Sequence, residues 1–136
     1  MSDINKKLDL IREEFSIFSD PRDKYIYLVD LAKASKGLSP NDKLEDNRVQ
    51  GCTSQAWGVR ENKDDQLYFK TDSDAMIVKG LLSLIERSFN GHSAGEIIKI
   101  DGSKFLESVG LDRAISSQRT NGFSNAINKI QKEILG

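Results

Sequence analysis

The apolar pattern changes period twice along this 136-residue chain, and that change restricts the fold more than any other feature. Ile4, Leu8, Ile11, Phe15 and Phe18 recur at helical spacing and predict a first helix that stops near Ser19. Asp20 followed by Pro21 then reads as an N-cap and first helical residue, because proline lacks only an N–H that a helix start leaves unpaired anyway. Tyr25, Leu28, Leu31 and Ala32 give this second helix an apolar face, and Gly37 is its expected stop. A loop follows at Ser39-Pro40-Asn41-Asp42. From residue 55 the period becomes two. Trp57 and Val59 alternate in residues 55–61, and Leu67, Phe69 and Thr71 alternate in residues 66–72, with turn-forming residues 62–65 between them. That combination predicts a β-hairpin. A short strand is expected before it, around residues 46–50.

Helical spacing returns at Ser73, read as an N-cap with Asp74 just inside to favour the helix dipole. Ile77, Val78, Leu81, Leu82, Leu84, Ile85 and Phe89 make that helix apolar nearly all round, which predicts a central, buried element ended by Asn90-Gly91. Ser93 and Glu96 have capping-box spacing. Phe105, Leu106 and Val109 mark a short helix stopped by Gly110, and a last helix spans about residues 117–135 with Phe123, Ile127, Ile130 and Ile134 inward. Strands gathered in one stretch and helices on either side predict an α+β fold: a small antiparallel sheet of about three strands packed against a layer of helices, in one domain over residues 1–136.

Composition narrows the function classes. One cysteine, Cys52, rules out an internal disulfide, and one histidine, His92, leaves too few ligands for a Cys/His zinc site or a cluster held by this chain alone; no metal site is expected. Twenty basic residues against 21 acidic give a net charge of −1, interspersed rather than gathered in a stripe, so nucleic acid is not the expected partner. No apolar run approaches the roughly 20 residues needed to span a bilayer, and no apolar segment follows the charged N-terminal residues as in a signal peptide. A cytoplasmic protein is expected.

Cys52 lies in Val49-Gln50-Gly51-Cys52-Thr53-Ser54-Gln55-Ala56-Trp57, at the predicted link between the first two strands. A thiol at a glycine-flanked bend is placed to react, whereas structural cysteines pack on apolar faces as small hydrophobes. The inert, buried alternative stays open on composition. Hydrolysis would need a positioned base, and the only histidine is expected at an exposed turn after a helix. Dithiol redox cycling would need a second cysteine. A lone thiol can still exchange sulfur with another protein, and Gly51 removes a Cβ restriction beside it.

The segment GCTSQAWG at residues 51–58 resembles the SufE family of sulfur acceptors, whose pattern is Gly-Cys-x-Ser-Gln/Lys-x-Trp. The resemblance extends through Asp20-Pro21-Arg22-Asp23-Lys24-Tyr25-Ile26-Tyr27-Leu28, Asn47-Arg48-Val49, Val78-Lys79-Gly80-Leu81-Leu82, Phe89-Asn90-Gly91 and Gln118-Arg119-Thr120-Asn121-Gly122-Phe123, in the family's order. Thr53, Ala56 and Gln118 depart from the residues usual at those places.

The resemblance implies a fold shared with IscU-type scaffolds, though the ligand cysteines of those scaffolds are absent. It implies that Cys52 accepts sulfur as a persulfide from a pyridoxal-phosphate cysteine desulfurase of the SufS or CsdA kind. It further implies that Cys52 passes the sulfur to an iron–sulfur scaffold. The cofactor belongs to the partner; none is expected in this chain. Gly51, Ser54 and Trp57 frame the nucleophile, with Trp57 either covering the thiol's pocket or packing as core. Arg119 is either a cation favouring the thiolate or an ordinary helix-start residue. Arg48 and Gln55 are expected in the partner interface. A non-covalent adaptor or scaffold in iron–sulfur assembly is the alternative.

Overall fold

The structure is a computed structural model that describes residues 3–49 and 54–135. Its elements run α1 (Ile4–Ser16), α2 (Pro21–Ala34), two 3-10 turns (Pro40–Asp42 and Glu45–Asn47), β1 (Ala56–Lys63), β2 (Gln66–Ser73), α3 (Met76–Phe89), α4 (Ala94–Ile97), α5 (Phe105–Ser108) and α6 (Ser117–Leu135). The α+β architecture follows the change of period.

Local signals set most element ends. The Asp3 carboxylate accepts the Lys6 N–H at 2.9 Å and opens α1, whose stripe of Ile4, Leu8, Ile11 and Phe15 is buried. Phe18 falls beyond the helix and instead packs on Tyr27, with ring centroids 5.0 Å apart. Asp20 caps α2 through the Arg22 N–H at 2.9 Å, with Pro21 first in the helix. The Ser93–Glu96 capping box forms at α4, and Gly110 ends the turn after α5 with φ +77°.

α3 is buried on almost every side, and α2 lies directly against it. Gly80 makes that approach possible: a Cβ there would stand 2.4 Å from the Leu28 carbonyl oxygen. Phe69, Phe89, Phe105 and Phe123 then run in sequence from sheet to α3, α5 and α6, with successive centroids 6.2, 6.1 and 5.1 Å apart. Such edge-on aromatic contacts add to the area they bury. Among the described residues no helix is long and apolar enough to cross a membrane.

The hairpin pairs Ala56 with Ser73 through Lys63 with Gln66. Its turn is just Asp64-Asp65, at φ +53° and +66°, the left-handed pair a two-residue hairpin turn requires. The sheet has two strands among the described residues, not about three. Asp46 and Asn47, the first residues of the stretch expected as a first strand, belong to the turn Glu45–Asn47, where Asn47 Nδ2 donates to the Asp42 carbonyl at 2.8 Å. Local side-chain bonding of this kind competes with extended pairing. Strand contact is reduced to the bridge Arg48↔Trp57 and the Val49 N–H on the Ala56 carbonyl at 2.8 Å; Gln50 lies outside the described residues.

The other edge of the hairpin is covered by the end of α3. Leu67 exchanges backbone bonds of 2.9 Å with Gly91 and His92. The Asn90 amide accepts the Phe69 N–H at 2.7 Å and donates to its carbonyl at 3.3 Å. Thr71 Oγ1 donates to Glu86 Oε2 at 2.7 Å. His92, expected to be exposed, is 5 % exposed, because this bridge draws it inward. Its Nδ1 lies 2.8 Å from Glu96 Oε2, which satisfies the ring nitrogen.

Candidate functional site

Gly51 and Cys52 lie outside the described residues, together with Gln50 and Thr53. The residues on either side are held firmly. On one side Arg48 bridges Trp57, and Val49 is buried. On the other, Gln55 is gripped at both backbone groups. Its N–H donates to Asp74 Oδ1 at 3.0 Å, and its carbonyl accepts from the Asp74 N–H at 3.1 Å and from Ser73 Oγ at 2.7 Å.

This grip changes the reading of Ser73 and Asp74. Local sequence predicts that they cap and open α3, but Ser73 closes β2 and the helix starts at Met76, with Ala75 in the capping position. Ser73 Oγ still accepts the Ala75 N–H, at 3.2 Å, while donating across to Gln55. Nothing near Ser73 in the chain shows that a residue 18 positions earlier claims the hydroxyl.

Asp72 is a second anchor that the sequence does not mark. It is 6 % exposed and accepts the N–H groups of Leu38 at 2.9 Å and Ser73 at 2.8 Å. Lys43 and Lys79 stand 3.2 and 3.6 Å from its two oxygens. Burial alone would push this carboxyl up, but the two N–H donors and two ammonium groups outweigh it and hold it below the usual carboxylate range. Gly37 contributes here rather than as the end of α2: at φ +68° it brings the backbone against the Asp72 carboxylate, where a Cβ would lie 2.5 Å from Oδ2.

Trp57 is half-buried rather than a core residue; the adjacent Ala56 takes the fully buried place. The Lys43 ammonium sits over the indole, 5.2 Å from its centroid, an attraction between cation and ring face. Ser54 is half-buried and Gln55 exposed. Arg48 is half-buried, its guanidinium 3.7 Å from the Glu45 carboxylate. His92 bonds to Leu67, six residues along β2 from Ser73, a separation of about 20 Å at strand spacing. It therefore stands at the opposite end of the hairpin from the Gln55 anchor, and a Cys–His hydrolytic pair has no support.

Arg119 lies on the first turn of α6 at the rim of a narrow crevice of about 10 Å³. The walls are Val78, Leu81 and Leu82 of α3 with Gly122 and Phe123 of α6. Arg119 Nη1 donates to the Tyr25 hydroxyl at 3.3 Å. Val49 shares a second small cavity with Leu82, and Gln55 is tied to Asp74, just ahead of α3. Cys52 is three residues from each anchor, and three residues of extended chain span at most about 10–11 Å.

Comparison with known proteins bears on the family and the fold. A family profile described as SufE, an Fe–S metabolism associated domain, matches residues 9–134. An uncharacterized SufE-like protein of Rhizobium etli is 35% identical over 93% of this chain and 88% of its own length. One from Synechocystis is 32% identical over 92% of this chain and 78% of that protein. SufE-like protein 1, chloroplastic/mitochondrial, of Arabidopsis thaliana is 31% identical over 99% of this chain, which spans 36% of that protein. The solution structure of a hypothetical protein from Thermus thermophilus superposes with a TM-score of 0.77 over 95% of this chain and 93% of the other, at 19% identity, a likeness of fold.

Proposed function

This chain belongs to the SufE family of Fe–S metabolism associated proteins, and from that premise we propose that it is a sulfur carrier in which Cys52 is the accepting nucleophile. The Cys52 thiolate attacks the outer sulfur of a persulfide on a pyridoxal-phosphate cysteine desulfurase. A new S–S bond forms as the old one breaks, and the desulfurase thiolate leaves and takes a proton. No net oxidation occurs, so no further oxidant or reductant is required. Emptying the desulfurase restores its nucleophile and stimulates turnover. A second exchange passes the sulfur to an iron–sulfur scaffold. The carrier works in the cytoplasm, where a reducing environment keeps a lone thiol available.

The observation that carries this reading is the framing of the one thiol. The residues on both sides of it are anchored: the Val49 N–H bonds the Ala56 carbonyl, and Gln55 is tied to Ser73 and Asp74, just ahead of α3. A transfer segment must present one sulfur to a partner and then return it to shelter, and fixed ends with a short span between them suit that task. Arg119 supplies the cation that favours the sulfur anion. Arg48 and Gln55 flank the thiol and meet the partner first.

Incubation with a cysteine desulfurase and free cysteine should add one sulfur atom to the intact chain by mass spectrometry. Cys52→Ser should abolish that gain and the stimulation of the desulfurase, with an unchanged circular dichroism spectrum. Full stimulation by the serine variant would replace this reading with a non-covalent adaptor.

A further inference from the structure

The two edges of the hairpin are finished differently. In an antiparallel pair, the backbone groups of alternate residues point away from the partner strand. On β2 the outward groups include those of Leu67 and Phe69, and Gly91, His92 and Asn90 take them. Opposite Leu67, Phe69 and Thr71 on β1 stand Asn62, Arg60 and Gly58, whose N–H and C=O groups therefore point outward on the other side. Ala56 belongs to the same outward set, and its carbonyl accepts the Val49 N–H at 2.8 Å. That short contact goes no further, because the chain before Arg48 is the turn Glu45–Asn47. Along the rest of the edge, Gly58, Arg60 and Asn62 have no outward backbone partner among the described residues, and Arg60 and Asn62 are exposed.

A narrow cleft accompanies this edge. Gly58 and Arg60 line it from β1, Asn47 and Val49 from the segment already paired there, and Ala126 and Ile130 from α6. Gly58 has no side chain to fill it. We propose that the free edge of β1 docks an extended segment of another protein, which adds as a strand in line with Arg48 and Val49. Its backbone pairs with Gly58, Arg60 and Asn62, and its alternate side chains face α6. The chemistry of that face sets the pattern it takes. Opposite Gly58 an apolar side chain enters the cleft. Opposite Arg60 a carboxylate meets the guanidinium, because opposite charges attract across a strand pair. Lys129 and Glu133 also line the cleft, but they pair with each other and add no net charge. On the reverse face of β1, Glu61 and Lys63 are of opposite sign. A second copy of this chain is a poor occupant. The antiparallel register that uses all of Gly58, Arg60 and Asn62 sets Arg60 against Arg60, and like charges directly opposite repel. Charged edge residues commonly guard against such self-pairing. Here the charge leaves room for an acidic strand.

The test is amide hydrogen exchange of the full chain, read by NMR, with short synthetic threonine-rich peptides. Each peptide carries isoleucine and glutamate two positions apart, in one order or the other. In the free chain the Gly58, Arg60 and Asn62 amides should exchange faster than those of Val59 and Glu61, which face β2. With the better peptide at about ten times its half-saturating concentration, exchange at the three amides should slow roughly tenfold, because only the unbound fraction exchanges. Lysine in place of the peptide glutamate should weaken binding roughly two- to tenfold, and Arg60→Glu should reverse that preference. Gly58→Val should abolish the preference for isoleucine over serine. Its fold should survive, with an unchanged circular dichroism spectrum, since a Cβ there would meet Thr71 Cγ2 at an ordinary 3.8 Å. The proposal is overturned if the three amides are already slow in the free chain, or if no peptide slows them up to its solubility limit. Binding that protects other amides instead also overturns it. So does protection gained by raising the protein concentration alone, which would make a second copy the occupant.

Discussion

The two ends of β2 are fastened by different means. At the Leu67 end, the hairpin is closed by backbone bonds to Gly91 and His92 and by both halves of the Asn90 amide on Phe69, over an aromatic contact between Phe69 and Phe89. At the Ser73 end short polar side chains carry most of the fastening, beside one backbone bond from the Asp74 N–H to the Gln55 carbonyl. Asp72 holds segment 38–43, and Ser73 and Asp74 hold Gln55. Backbone pairing over a packed core opens only when much of the fold opens with it. The bonds that hold the exposed Gln55 break more readily and cost little to remake. The cysteine segment is attached at the end that can yield.

The largest expected effect tests the rigid end. Phe89→Ala removes a fully buried ring that contacts both Phe69 and Phe105, and should cost about 3–5 kcal/mol in urea unfolding. Asn90→Ala leaves the Phe69 N–H without its acceptor and should cost about 1–3 kcal/mol. If either variant unfolded with wild-type stability, the Leu67 end would not be the structural clamp described above.

Acidification should act on two carboxyls packed against β2, Glu86 and Asp72, with opposite sign. Burial of Glu86 pushes its carboxyl up despite the Thr71 hydrogen bonds. The folded state therefore binds this proton more readily than the unfolded state, and the destabilisation Glu86 causes at neutral pH fades as pH falls through its raised folded value. Asp72 is held below its usual value, so its contribution is fully present above the unfolded carboxylate pKa and is lost as pH falls through the lower folded value. Thermal midpoints measured down the acid range should lose the low-pH decline in part with Asp72→Asn, and lose the counteracting term with Glu86→Gln. Identical pH curves for the two variants would contradict the assignment.

The smallest effect on stability belongs to the yielding end. Asp74→Ala removes one bond to the exposed Gln55 N–H and should cost under about 1 kcal/mol globally. Amide exchange at Gln55 should nevertheless speed up markedly while exchange at Leu67 and Phe69 stays slow. Equal acceleration at both ends would erase the distinction between them.

The residues legible in sequence are those whose partners are close along the chain. The caps at Asp20 and Ser93, the stripe of α1 and the alternating hairpin all depend on neighbours within a few positions. Cys52 stands out for the same reason, by what surrounds it and by the ligands and second thiol the chain lacks. The start of α3, the burial of His92 and the partial exposure of Trp57 are not legible locally, because distant segments decide them. Ser73 and Asp74 answer to Gln55, His92 to Leu67, and Trp57 to Lys43, which Asp72 holds.

Sequence alone determined that this chain alternates helical and extended segments, carries one cysteine in a glycine-flanked segment, and resembles a family of sulfur acceptors. Tertiary structure alone decided which groups hold the residues flanking that segment, Val49 and Gln55. Periodicity reports which face of an element is apolar, because side-chain direction repeats along the backbone. It carries no information on which polar groups meet when faces pack. Leu38 reaches Asp72 across 34 residues and Tyr25 reaches Arg119 across 94. Both meetings are set by the packing of whole elements, with α2 seated on α3 at Gly80.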